Sequence, residues 1–479
     1  MSNRILILFL PFLLCNCTTE SDLFSQAKRR YPELSSCKPS GINETILCGT
    51  FTVYENRSAK GKTLPINVYL FPATQPNTDR RTFLEYNGGP ASPNENLRWL
   101  YEKGGPSHYL RQHADILIMD QRGTGASLIP CEAFSGLQLG SQLFHLKAIK
   151  ACLAESREQV DLSQYNTDQS VEDLEEVRQW LGIPQIDFSG LSYGTRVVLE
   201  YMRRYPKRVR SMILSGTVSP TFGYAKHLDL EIEQQLQALI NRCEADSACA
   251  QHFPNFRTNL YELKDQLKEK PLSLTLGIES QDSLQLSISD TLFVRMVGGL
   301  FLSGTNIETL PLLIKAFREG DPAPLVRSDV RRSNRVTSVY MSQFCPEDIL
   351  NNPVDPEALS QLFTMGELGL MEVRACEEWQ QFSTPTWLDQ PLQGDAPVLL
   401  ITGANDTQTP PRMGDNVQKA LPNARHIVLP NEGHGLINYA CWDTLVSQFL
   451  ARENLWELET SCAQLGKRPA FELPEDEKK

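Results

Sequence analysis

Gly190-Leu-Ser-Tyr-Gly194 sets one serine between two glycines. A hydroxyl becomes a useful nucleophile when a tight strand-to-helix turn pushes it out of the backbone, and the positions flanking such a turn favour residues without side chains. The surroundings match. Ile183-Pro-Gln-Ile-Asp-Phe188 is an apolar run able to end a parallel strand, and Thr195 to Tyr205 is predicted helical, with Arg196, Glu200, Arg203 and Arg204 on its solvent side. Gly-x-Ser-x-Gly arises readily by chance in a chain with 29 glycines, so the flanking strand and helix carry the reading as much as the motif does.

A serine of this kind needs a base and an acid. Asp406, in Gly403-Ala-Asn-Asp-Thr-Gln-Thr-Pro410, follows the apolar run from Ala396 to Thr402, and His434, in Gly433-His-Gly435, follows the run from Arg425 to Pro430. Taken singly, an aspartate in a turn is ordinarily a cap, and a lone histidine is ordinarily a surface or core residue. Three separate loops, each after a strand and in the order serine, acid, histidine, together fit acyl transfer. Ser192 attacks a carbonyl carbon, His434 takes its proton and returns it to the leaving group, and Asp406 holds the imidazole tautomer. Backbone donors for the oxyanion are expected at Tyr193 and at Gly88 or Gly89 of Asn87-Gly-Gly-Pro90, a segment that by itself is also an ordinary strand-ending turn. With a histidine base, activity is expected to fall below about pH 6.

These loops require a scaffold. Thr82 to Tyr86, His113 to Asp120, Arg210 to Gly216 and the runs before Asp406 and His434 read as strands. Val171, Leu174, Val177 and Leu181 mark a helix over Asp168 to Leu181. The alternation predicts an α/β fold with a mostly parallel central sheet and helices on both faces. Ahead of it, Asp22 to Tyr31 is predicted helical, and Glu44 to Glu55 with Lys62 to Phe71 is predicted to form a hairpin of edge strands. Residues 40–221 then form the first part of the core and 394–479 its C-terminal part. Between them, 222–393 reads as an inserted helical cap, with helices at His227 to Cys243, Phe256 to Glu269 and Pro356 to Trp379 and a strand-like stretch at Leu272 to Ile288. Asp120-Gln-Arg-Gly-Thr-Gly125 reads as scaffold, with Asp120 and Arg122 paired beneath the loops. It lacks the lysine of a phosphate loop.

The net charge of −12 opposes nucleic acid or an anionic membrane as partner. No Cys-x-x-Cys pair occurs and the seven histidines are scattered, so neither a metal nor another cofactor is expected. Residues 1–17 read as a signal peptide: Arg4 precedes an apolar run, Ile5 to Cys15, too short to span a bilayer. Cys17 is either the lipidated end of a lipoprotein or an ordinary residue of a secreted chain. Of 12 cysteines, setting aside Cys15 and Cys17 leaves ten, an even number that suggests disulfides in an exported protein. Connectivity is open; nearest-neighbour pairing joins Cys37 to Cys48, Cys131 to Cys152, Cys243 to Cys249, Cys345 to Cys376 and Cys441 to Cys462.

From about Cys48 onward the chain resembles the prolyl iminopeptidase and tripeptidyl aminopeptidase branch of the α/β-hydrolases, whose C-terminal region is TAP-like. The resemblance rests on Asn87-Gly-Gly-Pro90, Asp120 to Ser127, Gly190 to Arg196, Tyr201 to Pro206, Cys243 to Cys249, Cys345-Pro-Glu-Asp348, Cys376-Glu-Glu-Trp379, and Gly433-His-Gly435 with Cys441. It implies the same nucleophile, acid and base at Ser192, Asp406 and His434. It also implies release of residues or short peptides from the free N-terminus of a peptide substrate, with a cap carboxylate binding the α-ammonium. Glu347 and Asp348 are the nominees, then Glu377 and Glu378, although any of them read alone is an acidic surface or helix-start residue. Two departures stand out: Ala91-Ser-Pro93 where the family often has glycine, and Leu214-Ser-Gly-Thr217 where an aspartate is common. An exported serine aminopeptidase is the leading expectation, touching membrane only through lipid on Cys17. An esterase with the same triad and a non-catalytic surface protein are the alternatives.

Overall fold

Consecutive residues of a strand point to opposite faces of its sheet, and in this computed structural model the buried runs feed two separate cores in that way. The structure describes residues 20–76, 79, 81–89, 106–134, 136–142, 144–220, 223–277, 283–303, 306–333, 337–379, 385–434, 439–451 and 455–474. The N-terminal run from Ile5, Cys15, Cys17, Pro90 to Pro93, Gly435 and residues 475–479 lie outside them.

In chain order the described strands are β1 (Ser35–Cys37), β2 (Ile46–Tyr54), β3 (Thr63–Phe71), β4 (Thr82–Tyr86), β5 (Asp115–Met119), β6 (Gly136–Leu139), β7 (Ile186–Leu191), β8 (Val209–Ser215), β9 (Leu272–Gly277), β10 (Ser283–Ile288), β11 (Val330–Ser333), β12 (Val398–Gly403) and β13 (Ala424–Leu429). Nine of them form one sheet in the order β1-β2-β3-β5-β4-β7-β8-β12-β13. Pairing is antiparallel from β1 to β5 and parallel from β5 through β4 to β13. The predicted hairpin is present, but β2 and β3 are not edge strands. The three-residue β1 covers β2, and β3 lies between β2 and β5, which explains why β3 is buried over most of its length.

Leu84, Leu117, Phe188, Met212, Leu214, Val398 and Leu400 pack on one face with the helices Thr167–Trp180 and Tyr193–Arg204. Their neighbours Phe83, Ile116, Ile118, Ile213, Leu399 and Ile401 pack on the other, against the helix Tyr439–Ala451. Between β8 and β12 a mainly helical insertion builds a third apolar cluster from Tyr224–Ala245, Phe256–Glu269, Asp290–Ser303, Leu310–Arg318 and the β9–β10 hairpin. Segment Pro356 to Trp379 is not one helix. It is split into Pro356–Leu359 and Glu367–Glu378 by left-handed backbone at Met365 and Gly366. A ribbon the sequence did not suggest, β6 against β11, ties residues before Ser192 to the insertion.

The elbow helix is drier than expected. Glu200 is only 2% exposed and accepts from Arg203 and Arg204, whose charges offset its burial. Arg196 is fully buried against Asp348.

All five nearest-neighbour disulfides are present: Cys37–Cys48, Cys131–Cys152, Cys243–Cys249, Cys345–Cys376 and Cys441–Cys462. In the chain-entropy account a bridge restricts the unfolded chain in proportion to the logarithm of the loop it closes. Replacing Cys345 and Cys376 by serine opens a 31-residue separation and should lower stability by about 3–4 kcal/mol. Opening the six-residue separation of Cys243–Cys249 should cost about 2 kcal/mol. Denaturant melts of the two double variants check the order; equal losses or the reverse order would contradict it.

Candidate active site

β7 ends at Leu191 and the next helix starts at Tyr193, so Ser192 alone turns the chain, at φ 53° and ψ −128°. Such a conformation is strained for any residue with a side chain and persists only where the surroundings hold it. Here the Ser192 N–H donates to Ser215 O at 3.0 Å, and the Ser192 carbonyl accepts from Thr195 N–H and Oγ1 at 2.9 and 2.7 Å. The end of β4 presses on the turn. A Cβ on Gly194 would sit 2.1 Å from the Tyr86 carbonyl oxygen, and one on Gly88 would sit 2.4 Å from Ser192 Cβ. The structure thus brings Gly88 against the Ser192 hydroxyl, with Gly89 beside it and Tyr193 at the first position of the helix, where backbone N–H groups lack intrahelical partners. Gln121 holds this loop by donating to Asn87 O and Gly89 O at 3.3 and 3.5 Å.

Asp406 and His434 meet. His434 Nδ1 lies 2.9 Å from Asp406 Oδ2 and 3.1 Å from Thr409 Oγ1. A carboxylate can only accept, so Nδ1 carries the hydrogen and Nε2 is the basic nitrogen. Asp406 is 2% exposed, and donors replace its water: Gln408 N–H at 2.9 Å, Thr409 N–H at 2.8 Å and Thr409 Oγ1 at 2.6 Å. The two loops are joined by backbone, Asn405 N–H to Glu432 O and Ala404 N–H to Leu429 O, both 2.9 Å. They close over the end of β8, where a Cβ on Gly216 would lie 3.4 Å from both Asp406 Oδ2 and His434 Cε1. Since Ser215, the preceding residue, accepts the Ser192 N–H, the three side chains share one end of the sheet. Among the described residues no hydrogen bond joins Ser192 Oγ to the His434 ring; this bond is often open in unliganded sites.

Burial alone would raise the Asp406 carboxyl, but the charge and hydrogen bond of His434, with Thr409, bring it below the ordinary value. Burial alone would lower His434, and Asp406 outweighs it, leaving the imidazole above its ordinary value.

Other nominated residues are placed differently. Arg122 does not pair with Asp120. It makes two bonds to Asp173, at 2.7 and 2.6 Å, because Asp120 is turned toward Ala126 N–H and Asn67 N–H at 3.0 and 3.4 Å. Burial pushes Asp120 up to about 6 against those donors. Glu347 and Asp348 are buried and already bonded, Glu347 to Thr167 and Asp348 to Arg196 and Tyr224. Burial raises both carboxyls, with the Arg196 charge opposing. Glu378 pairs with Lys150 at 3.0 Å on the surface, and Glu377 is exposed. Glu347, Asp348 and Glu378 are thus already engaged by other groups, and Glu377 stands at the surface. Thr409, Gly216 and Gln121 were not singled out from sequence. Asp-x-x-Thr in the acid loop was the available signal for Thr409, since an aspartate readily caps N–H groups two and three residues on. Among the described residues no three His, Cys, Asp or Glu side chains group to hold a metal ion, and no helix is long and apolar enough to cross a membrane.

Residues 86–246 match the family described as "alpha/beta hydrolase fold", and residues 363–462 match "TAP-like protein". "Putative hydrolase YuaR" of Escherichia coli K12 is 23% identical over 337 residues, 66% of this chain and 65% of that protein. Serine protease Hip1 of Mycobacterium tuberculosis is 36% identical over 89 residues, 18% of this chain and 16% of Hip1. Proline iminopeptidase of Lactobacillus delbrueckii subsp. lactis is 32% identical over 155 residues, 32% of this chain and 41% of that enzyme. The matched stretches therefore span less than two-thirds of each relative.

The pair sets a pH window. A depressed Asp406 adds stability that is present above its unfolded value and lost as pH falls through its folded one. A raised His434 adds stability that is full below about 6.5 and lost as pH rises through its folded value. NMR titration of the His434 ring should give a pKa above 6.5, and Asp406→Asn should lower it; equal values in the two proteins would contradict the pairing.

Proposed function

We propose, from the premise that this chain is an α/β-hydrolase with a TAP-like C-terminal part, that it is an exported serine aminopeptidase. Ser192 adds to a substrate carbonyl, its proton passes to His434 Nε2, and Asp406 holds the ring and stabilises the imidazolium. The N–H of Tyr193 and one from Gly88 or Gly89 receive the oxyanion. The imidazolium then protonates the leaving amine, and water repeats the sequence to free the acyl group. The observation that carries this reading is the buried Asp406–His434 hydrogen bond at 2.9 Å, at the sheet end where Ser192 is forced into an elbow. Because the base must be neutral, and Asp406 raises its pKa, the acid limb of activity belongs above the ordinary histidine value of about 6.5, higher than the limit of about pH 6 read from the sequence. Export is supported by the five disulfides, which persist in oxidising compartments. Peptidase activity is supported by the relatives named as serine protease and proline iminopeptidase.

One observation favours the esterase alternative. Of the four nominated carboxylates Glu347 and Asp348 are internal, Glu378 is paired with Lys150 and Glu377 is on the surface, and Glu231, which feels the Asp406 charge, pairs with Arg412. Matched chromogenic peptides with free and acetylated N-termini, beginning with proline or alanine, separate the readings. The aminopeptidase reading expects turnover of the free series, at least about 100-fold less for the blocked one, and near abolition by Ser192→Ala. Equal rates on both series, or on simple esters alone, would replace it with the esterase.

A further inference from the structure

Glu347 comes from the insertion, two residues past the Cys345–Cys376 bridge, yet it reaches the nucleophile elbow. Its Oε1 accepts the Thr167 N–H at 2.7 Å and its Oε2 accepts the Thr167 hydroxyl at 2.6 Å. With its own hydrogen directed to Glu347, the Thr167 oxygen accepts from the Tyr193 phenol, 2.7 Å away. All three residues are almost wholly buried, so no solvent competes for these bonds. Burial and the Glu347 charge raise Tyr193 well above the usual phenol value, which keeps it a donor. Asp348 adds a second tie, from Arg196 at 2.9 Å to the start of the helix Tyr224–Ala245 through the Tyr224 N–H at 2.6 Å.

The consequence concerns Tyr193. Its backbone N–H, the first of the elbow helix, has no intrahelical acceptor to orient it, and an oxyanion donor acts only as well as it is preorganised.

We propose that Glu347 is a positioning residue: acting through Thr167 on the Tyr193 phenol, it fixes the backbone N–H that receives the oxyanion. This rests on the serine-hydrolase reading above. The carboxylate touches no reacting atom. It converts a contact from the insertion into the geometry of the step at Ser192.

The test is a double-mutant cycle with kcat, KM and melting temperature read together on the best chromogenic substrate. Glu347→Gln puts an amide N–H against one of the Thr167 donors, and Tyr193→Phe removes the phenol while leaving Glu347 and Thr167 bonded. Each should lower kcat about tenfold with KM nearly unchanged, since sub-ångström misplacement at this step costs rate. The double variant should be no slower than the slower single one, because both cut the same relay. Thr167→Ser should retain most of the activity that Thr167→Val loses. Should Glu347→Gln fail to fold, Tyr193→Phe and the Thr167 pair decide the matter. The relay is wrong if wild type turns over and the folded variants match its kcat, or if the losses multiply to about a hundredfold in the double variant. Should wild type hydrolyse neither esters nor peptides, the hydrolase reading itself has failed and the relay with it.

Discussion

A hydrogen bond between an imidazole and a carboxylate nearly cut off from water governs the rest of this molecule. Asp406 would be neutral or very costly to bury if it stood alone, since removing one partner of a buried charged pair typically costs about 3–5 kcal/mol. The acid loop answers by folding around the charge: two backbone N–H groups, the Thr409 hydroxyl and the His434 ring converge on it. That arrangement selects the imidazole tautomer and ties the acid loop to the histidine loop. It is possible only because β12 and β13 run parallel and in register, delivering both loops to the same end of the sheet.

A second constraint acts on the other side of the site. The turn at Ser192 is so close to β4 that the main chain of Tyr86 and Asn87 fills the space a side chain would need at Gly194, and Ser192 itself fills it at Gly88, while at Gly216 the Thr409, Asp406 and His434 side chains take that space. The two glycines of the elbow motif differ in this respect. Gly194 meets a carbonyl oxygen at 2.1 Å, whereas Gly190 meets its nearest neighbour, Leu214, at 3.0 Å. The motif thus records mainly the approach of β4, and the same approach brings the Asn87-Gly-Gly loop beside Ser192.

Much of this was legible in the residues because it is local. Ser192, Asp406 and His434 each follow a short apolar run of the kind that forms a strand buried on both faces, and the five disulfides join nearest cysteines. What stayed hidden depends on distant partners. Arg196 on a helix looks solvated until Asp348, 152 residues away, is placed beside it. Asp120 and Arg122 look like a pair until Asp173 takes the guanidinium. Glu347 and Asp348 look available for a ligand until Thr167, Arg196 and Tyr224 are counted. In each case a charge is described correctly by type and wrongly by environment, because burial and pairing are tertiary quantities. The left-handed backbone at Met365 and Gly366 that splits a predicted helix is likewise visible only once Leu359 and Leu370 crowd the glycine.

If one serine hydroxyl is activated by one imidazole, the rate and site of covalent labelling by a fluorophosphonate report it, read by intact and peptide mass spectrometry. A single adduct on Ser192, formed in wild type and slowed by orders of magnitude in folded His434→Ala, is the predicted result. An adduct elsewhere, or a labelling rate indifferent to His434, would contradict the account.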